Sequence, residues 1–298
     1  MPSANSIRDK DRPAHAASRA TGVHRSTIEY PPYASSWLQN CIEILLPSQC
    51  TICRRPLRGT TVCYRCRPPL PDLTDLCARS CPRCFSILGA TPAHSECETC
   101  TLFPPLADSI RFLWEYDGLA RDLIRTMKYR PSMSLATLAG ALLNGAVPFL
   151  FPPGTSWDLI IPIPASRAMF RRRLFHPCQE LARPISQSMK IPLLSPLYHD
   201  HKRAPQASLT HEERLRRIRS LFSLARRFDA RGRRILLVED VITTGATIGA
   251  AAHVLRQAGA LRVDVLALAR TRVWKRFRQR LYKTFHENAH SRPKRSLE

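Results

Sequence analysis

The chain has 298 residues, with 46 Lys+Arg against 23 Asp+Glu, for a formal net charge of +23. At 44% hydrophobic and 23% charged it is not a disordered chain overall, and its eleven Cys are too few for a disulfide scaffold. The charge invites anionic partners but bears on association rather than on fold.

Residues 1–36 are polar and aperiodic, which predicts a disordered extension. They carry Arg8, Asp9, Lys10, Asp11 and Arg12 and no apolar segment of signal type, so a cytoplasmic protein is expected. Ten of the eleven Cys fall between Cys41 and Cys100. That concentration marks a Cys-rich unit over 37–105, a Cys-poor unit over 106–271 and a basic tail over 272–298. In the first unit the pattern is Cys50-x-x-Cys53, Cys63-x-x-Cys66, Cys81-x-x-Cys84 and Cys97-x-x-Cys100. A CxxC turn brings two thiolates to one point, and two such turns complete a tetrahedron suited to zinc. Two consecutive zinc ribbons with two structural zinc ions are therefore expected. Each site is closed by four Cys, so neither keeps an open position for catalysis. Cys77 and His94 lie between the ligand pairs and read as bystanders. Cys41 reads as a helix-face residue and Cys178 as a small buried hydrophobe.

The second unit alternates strand and helix signals. Ser109–Tyr116 reads as a strand, and Arg121–Lys128 and Leu135–Leu143 as helices. Asp158–Ile163 is a buried strand ended by Pro164. Cys178–Met189 has helical spacing, although Pro184 argues against it. Arg234–Glu239 and Arg262–Ala269 are buried strands on either side of a helix over Thr247–Gln257, which Gly259 ends. Such alternation predicts an α/β fold with a parallel sheet. The longest apolar run, Leu135–Phe151, is interrupted by Asn144, Gly145 and Pro148, so no membrane span is expected.

The strand at 235–239 ends in Glu239 and Asp240 and passes through Thr243-Thr244-Gly245-Ala246-Thr247 into a helix. Loop amides, hydroxyls and a helix N-terminus point donors at a phosphate, and Gly245 lets the backbone come close. Two adjacent carboxylates would repel a bare phosphate. They suit a phosphorylated sugar whose vicinal hydroxyls they accept, or Mg²⁺. The plainer alternative is a pair of acids that caps the helix, with Thr244 as N-cap.

This string resembles the phosphoribosyl-pyrophosphate (PRPP) motif of type I phosphoribosyltransferases, and residues 50–271 resemble the ComF family. The pieces in family order are the CxxC pairs, Tyr116-Asp117-Gly118 with Arg121 and Met127-Lys128-Tyr129, and Ile161-Pro162-Ile163-Pro164. Then come Ala204-Pro205-Gln206 with Leu209, the acid pair with its loop, and Ala269-Arg270-Thr271. The resemblance implies a type I phosphoribosyltransferase-like parallel sheet flanked by helices and preceded by a zinc-ribbon module, in a protein linked to competence for DNA uptake. It further implies that Glu239 and Asp240 hold the ribose hydroxyls of PRPP and that Thr243, Thr244, Gly245, Ala246 and Thr247 hold its 5′-phosphate. Arg167 would lie near the pyrophosphate, with Mg²⁺ bridging pyrophosphate and ribose. The chain departs from the family at 166–177 and at Arg217, where the usual Gly and Asn are absent. Thr243 stands where some purine-handling relatives carry an acidic residue, and it is no general base at neutral pH. No catalytic residue is assigned.

Charge gathers at Arg167–Arg173, Lys202–Arg234 and the tail. Single-stranded DNA or a DNA-handling protein is the candidate partner of these stretches, against the alternative of solvated faces. Phe170, Phe175, Phe222 and Phe228 read mainly as core residues. Two functions stay open: phosphoribosyl transfer from PRPP, or a non-catalytic PRPP-sensing or nucleic-acid-binding module with structural zinc.

Overall fold

The computed structural model describes residues 49–57, 60–88, 95–102, 104–129, 132–165, 176–199 and 221–271. The 1–36 extension, Cys41, His94, the loop residues 166–175 with Arg167, the segment 200–220 with Arg217, and the 272–298 tail lie outside the described residues.

Two short helices, α1 (Leu73–Ala78) and α2 (Glu98–Leu102), belong to the Cys-rich unit. The α/β unit then runs β1 (Ser109–Glu115), α3 (Gly118–Tyr129), α4 (Met133–Leu150), β2 (Leu159–Pro162), α5 (Pro177–Met189), β3 (Leu197–His199), β4 (Phe222–Leu224), β5 (Arg234–Ile242), α6 (Ala246–Gln257) and β6 (Arg262–Arg270). Four strands form one sheet in the order β1-β6-β5-β2, and every pairing in it is parallel. The strands are apolar runs because both faces are covered: β6 is buried at every position from Val263 to Arg270. β3 and β4 pair antiparallel as a separate two-stranded ribbon, which the sequence pattern did not reveal.

The helices cover the sheet by ordinary means. α4 begins at Ser132, whose hydroxyl accepts the Leu135 N–H. By length and composition α4 is apolar enough to cross a membrane, but half of that apolar window is buried inside the fold. Its main partner is α5, which continues through Pro184 although that proline argued against a helix. The crossing explains how. Pro184 has no N–H to offer the Glu180 carbonyl, and Gly140 of α4 packs against that carbonyl. A Cβ on Gly140 would lie 2.8 Å from Glu180 O and 3.1 Å from Pro184 Cγ.

The amino edge of the sheet is pinned by buried Asp264. It accepts from Ser109 Oγ (2.6 Å), Trp157 Nε1 (2.9 Å) and Arg262 Nε (2.8 Å). That network leaves the opposite, carboxyl edge for the loops that follow the strands, the edge at which open α/β sheets bind ligands.

Candidate functional site

Two clusters of four Cys stand in the Cys-rich unit: Cys50, Cys53, Cys63, Cys66 and Cys81, Cys84, Cys97, Cys100. They are built alike. In the first, Cys50 N–H donates to Arg55 O and Arg54 N–H to Cys50 O, with Arg54 at φ 62°. In the second, Cys81 N–H donates to Ser86 O and Phe85 N–H to Cys81 O, with Phe85 at φ 58°. Bridges between Gln49 and Pro56, and between Ser80 and Ile87, close the two turns in the same way. In each, the sulfur of the first Cys accepts a backbone N–H from the third, Cys63 to Cys50 Sγ (3.4 Å) and Cys97 to Cys81 Sγ (3.3 Å). Such amide-to-sulfur bonds stabilise thiolate. The sulfur separations are 3.7 Å for Cys53–Cys63, 3.5 Å for Cys81–Cys100 and 3.7 Å for Cys84–Cys97. The edge of a tetrahedron with metal–sulfur bonds of about 2.3 Å is about 3.8 Å. Each cluster could therefore hold one zinc ion. Cys77 stands apart from both clusters and its thiol donates to Phe149 O (3.2 Å).

At the carboxyl edge, β5 runs three residues further than the apolar pattern suggested and carries both acids inside the strand. Alternation along a strand would send Glu239 and Asp240 to opposite faces, yet their carboxylates converge. Glu239 folds back, so that Oε1 accepts the Asp240 N–H (3.1 Å) and the Cys178 thiol (3.4 Å). Asp240 Oδ1 takes Lys128 Nζ from α3 at 2.6 Å. One oxygen each from Glu239 and Asp240 and the Cys178 sulfur lie within 4.8 Å of one another. Cys178 is thus the wall of the acid pair as well as a buried hydrophobe. Lys128, quoted above only as part of a motif, is its counter-charge. Neither role has a sequence signal of its own, because α3 and α5 reach β5 only through the fold.

The pair is electrostatically tense. Burial, with the Asp240 charge second, pushes Glu239 up to about 8. Burial and the Glu239 carboxylate push the Cys178 thiol well above its ordinary value. Burial pulls the Lys128 ammonium down, but the Asp240 carboxylate outweighs it, and the net shift is upward. Cys178 is therefore a protonated thiol at neutral pH, and Lys128 and Asp240 form the ion pair of the site.

After β5 the chain turns. Thr243 is exposed, Thr244 half-buried and Gly245 buried. Gly245, rather than Thr244, is the N-cap of α6; its φ is 80° and no side chain caps the helix. Thr244 Oγ1 accepts the Ala246 N–H at 3.3 Å. Beyond that bond the Gly245 cap offers the first turn of α6 no side-chain acceptor. Ala246 and Thr247 open that helix. The far side of the loop is tied to β6: Thr271 N–H donates to Ile242 O (2.9 Å) and Thr271 Oγ1 to Thr243 O (3.2 Å). Of the predicted ligand-contacting residues, the acid pair and 243–247 thus stand at one sheet edge.

Residues 178–291 match the phosphoribosyl transferase domain. Together with the parallel sheet this gives the class: an α/β phosphoribosyltransferase fold with an N-terminal Cys-rich module. The chain is 28% identical over 226 residues to the DNA utilization protein YhgH of Escherichia coli strain K12, covering 70% of this chain and 97% of that protein. It is 28% identical over 199 residues to competence protein F of Haemophilus influenzae, covering 64% and 84%. With competence protein ComFC of Bacillus subtilis it shares 24% over 204 residues, covering 66% and 79%. The chain thus carries a phosphoribosyl transferase domain over 178–291 and is similar to DNA utilization and competence proteins. A glutamine PRPP amidotransferase from B. subtilis, solved with ADP and GMP, aligns at 17% identity with a TM-score of 0.36, over 50% of this chain and 30% of that enzyme.

Proposed function

We propose that the carboxyl edge binds PRPP together with Mg²⁺, and that the 37–105 and 106–271 units act as zinc module and phosphoribosyltransferase-like domain of a DNA-handling protein. The observation that carries the reading is the convergence of Glu239 and Asp240 directly before a loop whose cap is a left-handed glycine. In this reading the amides and hydroxyls of 243–247 hold the 5′-phosphate, and Asp240 with Glu239 accepts the ribose hydroxyls. Lys128 holds Asp240 in place, Nζ 2.6 Å from Oδ1, until the sugar arrives. Mg²⁺ would enter with the pyrophosphate and supply charge neutralisation there. Arg167 is the proposed pyrophosphate contact. Transfer of the phosphoribosyl group passes through an oxocarbenium-like state that needs positioning and charge stabilisation more than a protein nucleophile.

DNA handling is supported by the names of the E. coli, Haemophilus and Bacillus relatives and by a net charge of +23. The partner is single-stranded DNA or a protein that handles it, in the cytoplasm. The basic segments Lys202–Arg234 and 272–298 are the proposed contact, with affinity that falls steeply with salt.

Calorimetric titration of the full chain with PRPP and Mg²⁺ tests the site. Asp240→Asn keeps the shape and removes the charge, and is expected to cost about 1.5–3 kcal/mol of binding, the scale of a charged hydrogen bond. Gly245→Val should cost more, because a branched residue resists a φ of 80°. Equal binding by wild type and both variants, or none by wild type at millimolar PRPP, contradicts the reading.

A further inference from the structure

The second Cys cluster is fastened to the sheet by its own backbone. All three carbonyls that follow Cys81 in the turn are accepted targets of the sheet. Arg111 Nη2 donates to Pro82 O (2.7 Å), Ile110 N–H to Arg83 O (2.8 Å) and Arg270 Nη1 to Cys84 O (2.9 Å). Arg270 Nη1 also reaches Ser86 Oγ (3.2 Å), which in turn lies 3.2 Å from Cys84 Sγ. Both arginines are buried, at 6% and 5% exposure. Arg111 donates to the backbone carbonyls of Leu150, Ile110 and Pro82. Arg270 meets one carboxylate, Glu115, at 3.3 Å.

Buried guanidinium charge needs an opposite charge close by. Four thiolates on one Zn²⁺ carry a net charge of about −2, set against these two cations. The same Arg270 closes β6 and sits in register with Ile242, and the residue after it, Thr271, holds Ile242 O and Thr243 O.

We infer that the second Cys cluster, when it holds its metal, is a strut for the 242–247 loop, and that Arg270 is the positioning residue through which it acts. The ligand turn fixes Arg270, Arg270 fixes the end of β6, and Thr271 carries that constraint to the loop. The inference deepens the proposed PRPP site and rests on it only for the ligand-binding part of its test.

Hydrogen–deuterium exchange of the full, zinc-loaded chain reads the strut without any ligand. Arg270→Gln removes the charge and the fork while leaving all eight cluster Cys in place. The expected result is exchange about tenfold faster at 242–247, with β2 unchanged, and PRPP affinity reduced by a similar factor. Arg270→Lys returns the charge and should recover part of the protection. Cys84→Ser should loosen the same loop, and Cys53→Ser, in the first cluster, should not. Wild-type exchange at 242–247 in Arg270→Gln, whatever its melting temperature, overturns the strut. A loosened loop in a chain whose wild type binds no PRPP supports the strut and overturns the PRPP reading instead.

Discussion

The two Cys clusters share a turn, a left-handed residue, a closing bridge and a sulfur-bound amide, yet they sit in different surroundings. In the first, Cys53 is exposed and Cys63 half-exposed, and the turn bonds to itself and, through the Thr51 N–H, to Thr61 O (3.1 Å). In the second, Cys81 and Cys84 are fully buried, Phe85 packs edge-on against Phe112 at 5.2 Å, and the turn carbonyls are taken by β1 and β6. Cys50 and Cys66 of the first cluster are buried as well, so the difference in burial falls on the second Cys, exposed at Cys53 and buried at Cys84. What decides is not the ligand set but what the turn's carbonyls and the residue after the second Cys touch. Arg54 follows Cys53 and points to solvent exposure, whereas Phe85 follows Cys84 and enters the core.

The largest effect should come from breaking the second cluster. Cys84→Ser is expected to release one metal and to lower the stability of the whole chain by about 3–5 kcal/mol, the cost of stranding buried charge. Cys53→Ser should also release one metal, but loosen only the first module. Metal analysis together with urea unfolding separates the two, and equal global destabilisation by both would erase the distinction. Next in size is Arg111→Met. It keeps an apolar side chain but removes the guanidinium that lies over the Phe85 and Phe151 rings together with its three bonds to carbonyls, which should cost about 2–3 kcal/mol. No counterpart in the first module has this weight.

A smaller effect, at the carboxyl edge, should spare both clusters. Burial raises Glu239 from its ordinary range to about 8, so the folded state favours its protonated form. That contribution is present at low pH and is lost as the pH rises from about 4.5 through about 8. Without ligand, stability should therefore fall between about pH 4.5 and about pH 8, and Glu239→Gln should flatten the slope with metal content unchanged. A slope of the same size in Glu239→Gln would assign it to another group.

Much of this was legible in the sequence, and the misses have physical causes. The strands β1, β2, β5 and β6 announce themselves because a sheet covered on both faces needs unbroken apolar runs. β5 was read as ending at Glu239 because adjacent carboxylates look like a strand end. It continues to Ile242 because Lys128 and the Asp240 amide satisfy those carboxylates from within the fold. Pro184 argues against α5 in the sequence, and the contact with Gly140 shows how the helix keeps that residue. The spacing of the eight Cys predicted both clusters. It could not tell that Cys53 is exposed and Cys84 buried, since Arg111 and Arg270 are far from them in sequence. The phosphate-type loop was visible in Gly245 and its neighbours, whereas Cys178 and Lys128 reach the acid pair only through helix packing.

The most direct measurement is a crystal structure of the full, zinc-loaded chain grown with PRPP and Mg²⁺. The account predicts the 5′-phosphate on the amides of 243–247, the ribose hydroxyls on Asp240 and Glu239, and metal in both Cys clusters. PRPP bound away from this edge, or a loop that stays empty at saturating PRPP while the carboxylates keep Lys128 and Cys178 to themselves, would contradict it.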